Sequence, residues 1–181
     1  MKPNFAIERY RKLAIFLALF LVAYLILGSS LKMIIVVGIF IIVASFSTFY
    51  YNYFHSPVNF ELVKFATIIS SVAYGSLIGV SVGVITAIFS RIWSGRLDQR
   101  TLISIFGIII IALAASILKG YDIKLLGIAL VVLYHLITVP MSLSMGDNPG
   151  FTLTYAATNL LINSLLFLKL APVVMRLVSI G

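Results

Sequence analysis

No charged side chain interrupts residues 101–118, TLISIFGIIIIALAASIL, and comparable runs fill most of the chain. At a rise of about 1.5 Å per residue, a helix of that length crosses a hydrocarbon layer of about 30 Å. The runs lack the apolar–polar alternation of barrel strands. That leaves helices, the other structure that satisfies every backbone N–H and C=O inside lipid. Composition points the same way: 62% of the 181 residues are hydrophobic and 10% are charged, with a mean hydropathy of +1.17. A soluble domain of this size could not hide so much apolar surface from water. The expected fold is an all-α integral membrane protein, multi-pass in a cell membrane. One compact bundle over residues 1–181 is expected, since no linker or low-complexity stretch divides the chain.

Apolar runs fall at about 13–27, 31–51, 59–93, 101–118, 123–145 and 151–174. The 59–93 run is too long for one straight span, because such a helix would measure roughly 50 Å. It must tilt and protrude, break near Gly75, or comprise two short helices. One helix gives six spans, which is the expectation; two give seven. The positive-inside rule does not decide, since Lys119, Lys124 and Arg176 stand on one side and Arg91, Arg96 and Arg100 on the other. The formal charge of +8 sits mostly at the ends of the runs, with Arg9, Arg11 and Lys12 before the first. That distribution suits anionic lipid headgroups and not nucleic acid. The basic start resembles a signal peptide but lacks a small-residue cleavage site, so it is expected to be a cytoplasmic tail.

Within the 59–93 run, Gly75, Gly79 and Gly83 recur every fourth residue and stack on one helix face. Small residues in that register let helix backbones pack closely; lining a solute path is the other reading. Ala14 and Ala18 make a shallower groove of the same kind. In the last run Thr152, Tyr155, Asn159 and Asn163 form a single polar stripe, and asparagine in hydrocarbon needs partners. The stripe is either hydrogen-bonding glue between helices or part of a polar ligand site. In the run before it, His135, Thr138 and Ser142 repeat the spacing beside Pro140, whose missing N–H frees a carbonyl. An uncharged histidine both donates and accepts, which suits ligand reading as well as packing. The loop Gly146-Asp147-Asn148-Pro149-Gly150 joins the two stripes. Glu61 fits the first turn of a helix capped by Asn59, where the helix dipole favours an anion. Arg91, Arg96 and Arg100 flank a loop and suit headgroups or a partner protein.

Enzyme chemistry finds little to work with. The five acidic residues never pair at helical spacing, the two histidines lie in different segments, and cysteine is absent. No nucleophile elbow or nucleotide-binding loop occurs. No catalytic residue, metal or cofactor is therefore expected, and transport driven by ATP would need a partner.

The chain resembles the substrate-binding S components of energy-coupling factor transporters. The likeness rests on its size, Ala14xxxAla18 in the first run, Phe60-Glu61-Leu62 leading into Gly75xxxGly79xxxGly83, and the asparagine-bearing last run. It implies a solute-binding subunit that works with a membrane coupling subunit and ATPase subunits. Ala14 and Ala18 would touch the coupling subunit. His135, Asn159 and Asn163 would lie at a site for a small, vitamin-like molecule; from the polar stripes, Thr138 and Tyr155 are expected to contact the same ligand. Rod-shape proteins of the MreD type are similar in size and hydropathy, and imply a membrane scaffold instead.

Overall fold

The computed structural model describes residue 28, residues 30–53 and residues 60–179, and all regular structure in them is helical. Ala14 and Ala18 lie outside the described residues. The chain divides into two units, Met1–Val36 and Val37–Gly181, and the elements that build the site belong to the second.

Gly75 settles the course of the 59–93 run. The run is two helices, α2 (Val63–Tyr74) and α3 (Ser76–Trp93), joined at this residue. Gly75 has φ 92° and ψ 170°, a backbone conformation open essentially to glycine alone. A helix cannot pass through it, and the chain folds back. Gly79 returns against Ser71 and Gly83 against Thr67, so α2 and α3 run antiparallel. A Cβ on Gly79 would stand 2.7 Å from Ser71 Cα, and one on Gly83 would stand 2.6 Å from Thr67 Oγ1. These two glycines hold the close approach. Gly75 does not pack: nothing lies within 4 Å of where its Cβ would be, and its work is the reversal.

With 12 residues, α2 is about 18 Å long, well short of a hydrocarbon core of about 30 Å. Residues Val63 through Ser71 are all buried. The helix is an internal peg, packed against α3, α4 (Gln99–Ile117), α5 (Ile123–Ser144), α6 (Pro149–Lys169) and α7 (Ala171–Ser179). The 151–174 run also proves to be two helices, α6 and α7, with a turn at Leu170. Pro172 explains the break, since its ring lacks an N–H and collides with the carbonyl four residues back. Among the described residues four helices, α3 to α6, are long and apolar enough to cross a membrane, while α1 (Ser30–Phe46) and α2 are apolar but shorter. The expected count of six spans is not reached among the described residues.

Ile68, Ile69, Ile108, Ile111 and Val131 are fully buried around α2, and the Phe65 and Phe167 rings meet at 5.2 Å between centroids. Outward, Leu77, Leu102, Ile117 and Leu125 are each more than 70% exposed. An outer surface of this kind suits a lipid medium, as expected from composition.

The helix starts are set by local chemistry. Thr101 Oγ1 accepts the Asp98 N–H at 3.3 Å at the head of α4. The Asp122 carboxylate accepts the Lys124 and Leu125 N–H groups at α5, at 2.9 and 3.3 Å. Asn148 Oδ1 accepts the Phe151 N–H at 3.1 Å at α6, with Pro149 in the first turn. Because the short turns reverse direction, α3 and α5 finish at the same end of the bundle at which α4 and α6 begin.

Candidate binding site

At that shared end the four helices leave a cleft of about 470 Å³, within the range of small-molecule sites at roughly 300–1,000 Å³. Each helix contributes polar side chains to the wall: Arg91 from α3, Arg100 and Ser104 from α4, Tyr134, His135, Thr138 and Ser142 from α5, and Thr152 and Tyr155 from α6. Arg96, Asp98 and Asp147 reach it from the two turns. A small recess behind it is shared by Glu61, Arg91, Arg96 and Tyr155.

The wall rests on a buried ion pair. Lys64, the second residue of α2, is fully buried, and its Nζ lies 3.3 Å from Glu61 Oε1. The same ammonium sits 4.3 Å from the centroid of the Tyr134 ring, whose negative face attracts a cation. The Tyr155 hydroxyl donates to Glu61 Oε2 at 2.9 Å, and Ser104 Oγ and Tyr134 OH are hydrogen-bonded at 2.9 Å. Two tyrosines of the cleft are thus fixed through the Glu61–Lys64 pair. Glu61 precedes α2, and the residues on either side of it are anchored to Ser47 and Tyr50. The Leu62 N–H donates to Ser47 Oγ at 3.0 Å, and the Phe60 N–H donates to Tyr50 OH at 2.6 Å.

Behind His135 lies an amide ladder. Asn163 Nδ2 donates to the main-chain O of Asn159 at 3.0 Å and to its Oδ1 at 3.3 Å. This identifies Oδ1 as the oxygen that faces His135 Nε2 at 3.0 Å. An amide oxygen only accepts, so Nε2 carries the hydrogen and Nδ1 is the acceptor of the uncharged ring. The ladder therefore sets the tautomer of a cleft residue. Thr138 Oγ1 spends its hydrogen on the Tyr134 carbonyl at 2.9 Å, which leaves its lone pairs to receive a donor.

At the mouth, Arg100 Nη2 lies 2.6 Å from Asp147 Oδ1, and its Nε donates to the same oxygen at 2.9 Å. This pair ties the head of α4 to the α5–α6 turn across the opening. Asp147 thus faces the cleft, while Asn148 beside it serves α6 as a cap.

His135, Thr138 and Tyr155 come together on the cleft wall. Asn159 and Asn163, read from sequence as part of the same stripe, are fully buried and sit one layer back, with Asn159 reaching the cleft through His135. Glu61 differs most from its sequence reading: α2 begins at Val63, so Glu61 stands before the helix and not in its first turn, and it forms a buried ion pair with Lys64. The available signal was an ionisable pair leading directly into a membrane run, which marks a site by default. Arg91, Arg96 and Arg100, in and beside the 94–98 loop, line the cleft. Tyr134 carried no signal in sequence, because a single tyrosine in an apolar run reads as packing.

Comparison with protein families, with curated proteins and with solved structures finds no match to this chain.

Proposed function

We propose that this chain is a multi-pass protein of a cell membrane that binds a small polar metabolite in the cleft between α3, α4, α5 and α6. It serves as the solute-binding component of an ATP-driven uptake system, in the manner of the S components it resembles. The observation that carries this reading is the polar cleft itself. A scaffold of the MreD type needs grooves on its outer surface and a dry core. Here four apolar helices converge on arginine, histidine, tyrosine and threonine side chains around a space of small-molecule size. The chain carries no nucleotide-binding sequence, so hydrolysis must come from partner subunits, with Ala14 and Ala18 as the expected contact to the membrane coupling subunit. Affinity purification of the tagged full chain from its native membrane tests the uptake reading. ATPase subunits co-purify with the wild type and are lost with Ala14→Trp/Ala18→Trp. Recovery of no ATPase with the wild type, or undiminished recovery with the variant, overturns it.

A further inference from the structure

Among the described residues, cations outnumber carboxylates around the cleft. Arg91, Arg96, Arg100 and Lys64 bring four cations, against the three carboxylates of Glu61, Asp98 and Asp147. The acids are also already engaged. Glu61 gives one oxygen to Lys64 and the other to the Tyr155 hydroxyl. Asp147 holds Arg100 at 2.6 Å, and Asp98 stands 3.9 Å from the same guanidinium. Among the described residues no carboxylate lies within ion-pair distance of Arg91; Glu61 and Asp98 act on it only from farther off, and it borders both the cleft and the recess beside Glu61. A half-buried guanidinium at the membrane end of α3 is costly without a counter-charge, and its planar fork matches a carboxylate or phosphate.

From this we infer that the solute carries an oxyanion, a carboxylate or a phosphate, which docks on Arg91. The rest of the molecule is uncharged and offers hydrogen-bond donors, because His135 Nδ1 and Thr138 Oγ1 are left as acceptors. A neutral solute would give the Arg91 fork no oxyanion at ion-pair distance in a space from which it had displaced water. The inference rests on the solute-binding reading for the cleft being a ligand site, and it adds the chemical class. The same oxyanion chemistry could reach the cleft on a free metabolite or on an anionic lipid headgroup.

The test uses the full chain in nanodiscs of phosphatidylcholine, with thermal unfolding followed against matched probes. These are inorganic phosphate, succinate and benzoate, with succinamide and benzamide as neutral partners. Stabilisation by at least one oxyanion and by neither amide is expected. Arg91→Gln should weaken that oxyanion about tenfold or more, and Arg91→Lys, which keeps the charge but not the fork, should weaken it less. Unfolding of each variant without probe separates lost binding from lost folding. Stabilisation by the amides equal to that by their acids overturns the oxyanion inference and leaves solute binding standing. No stabilisation by any probe, with phosphatidylglycerol in the nanodisc equally without effect, overturns both. Arg91-dependent stabilisation by phosphatidylglycerol alone upholds the oxyanion and assigns it to lipid, which removes the uptake reading.

Discussion

Lys64 is the side chain whose environment is hardest to replace. A fully buried ammonium carries a desolvation cost of several kcal/mol, which is tolerable only while Glu61 and the Tyr134 face remain beside it. Removing one partner of a buried pair strands the other, a loss of about 3–5 kcal/mol, whereas replacing both by apolar groups is often nearly neutral. Glu61→Gln is therefore expected to lower the thermal midpoint of the detergent-solubilised protein by many degrees. Glu61→Gln/Lys64→Met, which removes both charges and keeps an acceptor for the Tyr155 hydroxyl, should recover most of that loss. A single variant as stable as the wild type would mean that the pair holds nothing together. At this scale the sequence disclosed the stripe residues by their period, because periodicity reports which face a residue takes. It could not disclose that Glu61 and Lys64 meet Tyr134 and Tyr155, since those contacts depend on which helices become neighbours.

The α2–α3 hairpin turns on two glycine roles that sequence spacing alone could not separate. At Gly75 the backbone conformation is the constraint, so Gly75→Ala should cost about 1–3 kcal/mol despite the open space around it. At Gly79 two effects compete. Alanine improves helix propensity by about 1 kcal/mol, but its Cβ would press on a backbone atom of α2, an overpacking cost of about 1–3 kcal/mol. The rigid neighbour decides the balance against alanine, and Gly79→Ala should also destabilise. Thermal unfolding of the two variants checks both signs; a stabilised Gly79→Ala would mean that the helices can separate without penalty. A glycine every four residues is compatible with packing and with a break, and this run contains both. The division of α6 from α7 was more legible than the reading given to it, since Pro172 stands where a continuous helix would need an N–H. The middle spans were legible in full, because α4 and α5 combine unbroken apolar runs with aspartates at their heads.

Across the whole molecule, the cleft lies at one end of a bundle whose central helix crosses only part of its thickness. The turns around Leu97 and Met145 share the cleft end, while the Gly75 reversal and the turn around Tyr121 lie at the other. The chain has no cysteine, so single cysteines report topology without background. With a membrane-impermeant thiol reagent on sealed vesicles, Leu97→Cys and Met145→Cys should label from one side, and Tyr121→Cys from the other. Labelling of all three from the same side would contradict the arrangement of α4 and α5.

The central claim is that the cleft holds a small solute, and the most direct measurement is of what leaves the protein on denaturation. Full-length wild type and Ser142→Trp, which places an indole in the cleft, are purified in parallel after mild solubilisation, and the released small molecules are compared by mass spectrometry. The account predicts one compound bearing a carboxylate or phosphate, enriched in the wild type and absent from the variant. Indistinguishable profiles from two equally folded proteins would contradict it.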